Sequence, residues 1–335
     1  MLKKMFFISS LVVSSLITPT LQADTVVVYT ARKDHLIKPL FDAYTKNTGV
    51  NIQFTTAQEA ALLERLVAEG ENTPADMLMT VDAGNLWQAT ERDILQAIDS
   101  PTLTQNIPAH LRDPDQKWFG LSVRARPIVY STQRVDPKEL STYEDLGDPK
   151  WKNRLCLRTS KKVYNQSLTA MMMQRLGAQT TENIIKSWLN NLATDVFASD
   201  SQLIEAIEAG QCDLGIVNTY YFGRLQEENP SIPVAIFWPN QADSAGGVHI
   251  NISGAGITKH AKNPQAAIKL LEWLSTPEAQ AMFASLNHEY PANPAVPSSE
   301  LVRSWGDFKP DTTNLIEAGR LQVEAVKLMD RAGYK

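Results

Sequence analysis

The chain has 335 residues, 43% hydrophobic and 21% charged, with a net charge of −5. This is globular composition, and the length suits two lobes better than one core. The acidic balance argues against a general binder of nucleic acid or of anionic membrane surfaces.

Residues 1–23 read as an export signal. Lys3 and Lys4 give a basic start, Met5 to Ile17 is mostly apolar, and Pro19 breaks the run ahead of Leu21-Gln22-Ala23. The run is shorter than the roughly 20 residues a membrane span requires. Cleavage is expected near Ala23, and no cysteine stands there to carry a lipid. The two cysteines of the chain, Cys156 and Cys212, each open an apolar strand-like segment. In an oxidising compartment they can pair across adjacent strands; two buried free thiols are the alternative.

After the signal, strand and helix patterns alternate. Thr25 to Tyr29 is a β-branched run suited to a buried parallel strand. Leu36, Leu40, Phe41 and Tyr44 recur at helical spacing, and Val50 to Phe54 alternates. Leu62, Leu63, Leu66 and Val67 form a helical stripe ending at Gly70, and Ala75 to Met79 is the next strand. This is a βαβαβ series with right-handed crossovers. A second series has strands at Pro127–Tyr130, Leu155–Thr159 and Asp213–Val217, with Leu203, Ile204 and Ile207 on one helical face between the last two. Val248 to Ile257 is extended and suits a connection passing back between lobes. Pro264 and Pro277 are good first helical residues. Asn314 to Ala332 reads as one final amphipathic helix. The expected division is 24–123 as the main part of the first lobe and 124–247 as that of the second. Residues 248–300 return to the first lobe, and 301–335 are C-terminal helices on the second. Ligands of such folds sit at the carboxyl ends of strands, between the lobes.

Signatures of catalysis fail one by one. His288-Glu289 lacks the second histidine of a zinc helix, and Gly254-Ala255-Gly256 lacks the third glycine of a dinucleotide loop. No phosphate loop or nucleophile elbow is present. The five histidines are scattered, so no Cys/His metal spacing exists. What stands out is tyrosine at strand ends. Tyr220 and Tyr221 follow the strand ending in Asn218-Thr219, and Tyr164 follows the polar turn Ser160-Lys161-Lys162. Neighbouring residues of a strand face opposite ways, so Tyr220 and Tyr221 converge only if the strand has already ended. Aromatic packing is the plain alternative. Phenolate is a hard anionic ligand whose proton, with a free pKa near 10, leaves only for a strongly polarising cation. Ferric ion is such a cation; softer divalent metals favour imidazole and thiolate. The Ser160 turn leads into a helix start, and Arg124 and Arg126 add guanidinium donors for a small anion.

At these residues the chain resembles the ferric-ion-binding proteins of bacterial ABC iron importers. The markers are Val28–Arg32, Thr73–Asp76, Trp118–Ser122 with Arg124-Ala125-Arg126, Pro149–Arg154, Tyr164–Ser167, Asn218–Tyr221 and Glu289–Pro294. The resemblance spans Asp24 to Lys335 and implies an α/β fold, a two-lobe periplasmic binding protein of type II with interlobe hinge strands. It implies a monomeric, non-enzymatic carrier that hands Fe3+ to an inner-membrane ABC permease. Tyr164, Tyr220 and Tyr221 match the ligand tyrosines of the family's tyrosine-rich branch. Arg124, Ser160 and Lys161 are the expected hosts of a synergistic anion, carbonate or another. The first lobe departs from the pattern: Lys33-Asp34 stand where relatives place a His or a His-Tyr pair, and Val81, beside Asp82, where some place a Glu. Arg32 and Gln58 are therefore expected to close around the ion without binding it, with Asp34 or Asp82 as the first-lobe acids that could substitute for the missing ligand. A carrier for another small anion or polyamine, or a secreted hydrolase, is the alternative reading.

Overall fold

The structure, a computed structural model, describes residues 25–335; the expected export signal lies outside them. Ten strands alternate with helices: β1 (Thr25–Thr30), β2 (Asn51–Thr56), β3 (Met77–Val81), β4 (Phe119–Ala125), β5 (Ile128–Ser131), β6 (Leu155–Cys156), β7 (Leu214–Ile216), β8 (Val234–Phe237), β9 (Ile250–Ile257) and β10 (Tyr290–Pro291). They form two sheets. The larger has the order β10-β4-β9-β3-β1-β2, and the smaller β6-β7-β5-β8. Each sheet carries its own apolar core, so the molecule is a two-lobe α/β protein. Among the described residues no helix is long and apolar enough to cross a membrane.

The first lobe starts as the β-branched runs dictate. β1 pairs parallel with β2 and β3, and helices Asp34–Thr48 and Glu59–Glu69 make the crossovers. Leu36, Ile37, Leu40, Phe41 and Tyr44 supply the buried face of the first helix. Each such side chain contributes about 1.5–3 kcal/mol by leaving water. The segment expected to pass between lobes is instead the central strand β9, wholly buried and antiparallel to both β3 and β4. Its glycines are steric requirements: a Cβ on Gly254 would stand 2.6 Å from the carbonyl oxygen of Phe119.

The lobes are joined by crossings. β4 ends at Ala125 in the larger sheet and β5 begins at Ile128 in the smaller, leaving Arg126-Pro127 as the first crossing. The chain returns between Phe237 and Ile250. Tyr143 ties the two crossings together: its hydroxyl donates to the carbonyl of Arg126 at 2.6 Å and accepts the His249 N–H at 3.1 Å. Val248 also donates to Lys309 and accepts from Asp311, which lays the C-terminal segment alongside.

The C-terminal region is more divided than the sequence suggests. The expected single helix breaks at Leu321 into Ile316–Arg320 and Gln322–Ala332. The short piece packs against both Ala83–Glu91 of the first lobe and Val163–Leu176 of the second; the longer piece packs on Val163–Leu176 and Ala178–Asn190. Cys156 in β6 and Cys212 just before β7 are joined by a disulfide, with Cα atoms 6.0 Å apart.

Candidate metal site

β6 and β7 run parallel, so their carboxyl ends lie on the same side of the smaller sheet. Beyond β7, Val217-Asn218 turns into helix Thr219–Glu228, whose first turn carries Tyr220 and Tyr221. Beyond β6, the chain turns into helix Val163–Leu176, whose first turn carries Tyr164. Both helices thus begin at the cleft, and adjacent tyrosines converge because they sit on a helix rather than a strand. The Tyr220 hydroxyl donates to the Tyr164 hydroxyl at 3.2 Å, and the Tyr220 and Tyr221 ring centres are 4.4 Å apart.

A buried polar frame holds these turns. Asp200 accepts the backbone N–H of Asn218 at 2.8 Å and an Arg158 N–H at 3.2 Å, and faces Arg126 at 3.6 Å. Arg126 donates to Asn165 at 2.6 Å and to Asn218 at 3.2 Å. Asn165 in turn donates to Tyr334, the penultimate residue, at 3.0 Å. Arg126 therefore braces the tyrosine turns from below and does not line the cleft.

All three tyrosines line an interlobe cleft of about 440 Å³. Arg32, Lys33, Gln58, Glu59, Asn287 and Glu289 face it from the first lobe's elements, and Lys162 and Arg224 stand beside the tyrosines. Arg124, at the end of β4, sits 5.2 Å from the centre of the Tyr164 ring. It is 2% exposed, yet its Nε and Nη2 have no hydrogen-bond partner, and Asp82 is a distant ion pair at 3.9 Å. Burial opposes its charge, but Tyr164, Tyr220, Asp82 and Glu289 together hold its pKa above the ordinary value. Arg224 lies 5.1 Å from the ring centre of Tyr220 and donates across the cleft to Asn287 at 3.1 Å. Lys162–Glu59 at 3.7 Å and His288–Glu227 at 3.2 Å also span the lobes.

Burial pushes the Tyr164 hydroxyl up to about 12 and that of Tyr220 well above its ordinary value; Tyr164 and Tyr221 add to the rise at Tyr220, while Arg124 opposes it at both. The phenols thus keep their protons at neutral pH unless a cation displaces them. Among the described residues no cluster of three or more His, Cys, Asp or Glu could hold a metal. The donors this cleft brings together are phenol oxygens, and hard phenolate oxygens select a hard, highly charged ion.

Several expected residues fall elsewhere. Ser160 and Lys161 do not line the cleft. The Ser160 hydroxyl donates to the Tyr334 carbonyl at 2.9 Å, and both residues border a separate surface hollow beside Lys335. The C-terminal residues engage that turn, and of its three residues only Lys162 lines the cleft. Asp34 is also outside the cleft, bonded to the Thr56 hydroxyl at the exposed start of its helix. Gln58 and Arg32 do line it, but Arg32 is committed to Glu289 at 3.0 Å. Asp82 is fully buried, accepting from Ser167, Asn251 and the Gly84 N–H. Sequence reasoning missed Glu59, Arg158, Asp200 and Arg224, whereas Lys162, the last residue of the expected anion turn, does line the cleft. Arg224 was reachable: it lies one helical turn from Tyr220 and Tyr221.

Residues 39–310 match the model of the family described as bacterial extracellular solute-binding protein. The chain is 42% identical to iron uptake protein A1 of Synechocystis, over 92% of this chain and 87% of that one. The structure of Trichodesmium IdiA (FutA) in complex with iron and citrate superposes with a TM-score of 0.89 at 43% identity, covering 93% of this chain and all of that one. Ferric iron-binding protein A of Mannheimia haemolytica, in an open conformation, gives 0.87 at 36% identity, covering 93% and 99%. With two α/β lobes, paired crossings and a tyrosine-lined cleft between them, the chain belongs to the bacterial extracellular solute-binding proteins.

Proposed function

We propose that this chain is the periplasmic carrier of an ABC iron importer, binding Fe3+ through Tyr164, Tyr220 and Tyr221 and delivering it to an inner-membrane permease. The observation that carries the reading is the convergence of three tyrosines on one cleft, two of their hydroxyls 3.2 Å apart, beside an arginine with unspent N–H groups. The relatives named for iron uptake and ferric binding support it. Three phenolates balance a 3+ charge. A synergistic anion, carbonate or a larger carboxylate, would sit against Nε and Nη2 of Arg124 and bind the ion through two oxygens, displacing water that drives ferric hydrolysis. The lobes are read as 24–123 with 248–300, and 124–247 with 301–335; their closure stabilises the loaded form, which the permease reads. The carrier acts as a monomer and performs no covalent step.

A polyamine carrier fits poorly. The cleft holds Arg32, Lys33, Arg124, Lys162 and Arg224 against Glu59 and Glu289. That excess of cations repels a polycation and favours an anion-assisted site. Metal analysis of the purified protein with its visible spectrum is the test. Iron at one per chain with a tyrosinate-to-iron charge-transfer band is expected. A colourless protein that binds no ferric ion would overturn the assignment.

A further inference from the structure

For iron to draw the lobes together, the first lobe must make a contact in the loaded state that it lacks in the empty one. Among the described residues two carboxylates line the cleft, Glu59 and Glu289, both on first-lobe elements. They are not equivalent. Glu289 is 3% exposed, paired with Arg32 at 3.0 Å, and accepts from Asn287 at 3.1 Å. It is already spent on an arginine of its own lobe. Glu59 opens the helix Glu59–Glu69 and meets one cation, Lys162 of the opposite lobe, at 3.7 Å. That separation exceeds a hydrogen bond, and both side chains are partly exposed. The same Lys162 ammonium lies 5.0 Å from the centre of the Tyr164 ring, so one cation neighbours both Glu59 and the tyrosine cluster in the shared cleft. Asp34 and Asp82, the acids the sequence brings forward, do not line the cleft.

We propose that Glu59 is the first lobe's oxygen ligand to the Fe3+ held by Tyr164, Tyr220 and Tyr221, and that Lys162 keeps its carboxylate at the cleft in the metal-free protein. The inference rests on the ferric reading above and adds to it the group that couples capture to closure. A carboxylate oxygen is as hard a donor as phenolate and suits the same ion. A loose, partly exposed ammonium–carboxylate pair orients a side chain without competing strongly against a trivalent cation. Arrival of the ion replaces one positive neighbour of Glu59 by another of three times the charge. Lys162 is released toward the phenolates and the anion. Ligands then come from both lobes, and the bound ion spans the cleft.

The test compares wild-type protein with E59Q and K162M, loaded from ferric nitrilotriacetate. The readouts are the visible band, a chelator competition and small-angle scattering. E59Q should keep a tyrosinate band, moved to longer wavelength, because a ferric ion deprived of an anionic donor is a better electron acceptor. Its affinity should fall about tenfold or more, and iron should no longer contract it. K162M should show the wild-type band position and lose less affinity than E59Q. An E59Q variant with unchanged band and affinity would overturn the proposal. Equal losses in E59Q and K162M would also overturn it, by assigning the effect to the ion pair. A wild-type protein with no band removes the three-tyrosine reading and Glu59 with it; a normal wild-type band with an unaffected E59Q removes Glu59 alone.

Discussion

The Tyr220 hydroxyl donates a hydrogen bond to the Tyr164 hydroxyl at 3.2 Å, although the two residues stand 56 positions apart and on different helices. Two buried phenols at this distance satisfy one another without metal, and a cation that replaces the shared proton finds two oxygens already placed. Tyr220→Phe and Tyr164→Phe should each fold normally. Each should lose more ferric affinity than the roughly 10–100-fold that removing a supporting partner costs. Titration against a competing chelator, with the charge-transfer band weakened in both variants, checks this. Unchanged binding in both would remove these tyrosines from the site.

Binding should release protons. Burial holds Tyr164 near 12 and Tyr220 above its ordinary value, so both phenols are protonated at neutral pH in the empty protein. Iron must expel those protons, and protons must compete with iron. Affinity therefore falls as pH falls. With Tyr164 and Tyr220 engaged, about two protons leave per iron from these phenols. A pH-stat measurement during loading reads this number directly; a release near zero would exclude phenolate ligation.

The disulfide should matter for stability and little for binding. Cys156 and Cys212 staple β6 to the entry of β7, closing a loop across 56 positions. Replacing both by Ser should cost about 2–4 kcal/mol. The tyrosine turns rest on the Asp200–Arg126–Asn165 frame rather than on sulfur. The iron-loaded spectrum of the double variant should match wild type, while its denaturation midpoint drops.

Arg32→Met should be costly. It leaves the Glu289 carboxylate buried without its cation, a change worth about 3–5 kcal/mol. Glu289 is the more informative partner: burial raises its pKa, but Arg32, helped by Arg124 and Ser122, holds it below the usual carboxylate value. A depressed native value means that this contribution is complete above the unfolded pKa and is lost as pH falls through the native one. Arg32→Met should therefore be most destabilising at neutral pH, and the gap to wild type should shrink in acid. Adding Glu289→Gln should recover part of the loss. Denaturant titrations of the single and double variants at two pH values check both statements.

Much of the site was legible because strand ends and tyrosines carry local signals. The apolar runs at Leu155 and Leu214 place Tyr164 and the Tyr220-Tyr221 pair at carboxyl ends of strands, and parallel pairing makes those ends coincide. What the sequence could not carry was the competition for polar groups. Ser160 looks like an anion host until Tyr334, 174 positions later, takes its hydroxyl. Val248–Ile257 looks like a connection because its glycines break the apolar run; they are there so that β9 can lie tightly between two partners. Glu59 is one acid in an amphipathic helix until the opposite lobe brings Lys162 near it. Each of these three involves a partner distant in sequence, which no local pattern records.

The bond from Asn165 to Tyr334 sets the order in which the protein can mature. A chain that emerges N-terminus first displays Tyr164, Tyr220 and Tyr221 long before its penultimate residue exists. Until Tyr334 docks, Asn165 lacks one of its acceptors, and the helix start bearing Tyr164 has lost a fastening. The segment that completes the frame also straddles both lobes through Ile316–Arg320. Losing Tyr334 would therefore loosen the helix start that bears Tyr164, and with it part of the geometry that sets the phenols.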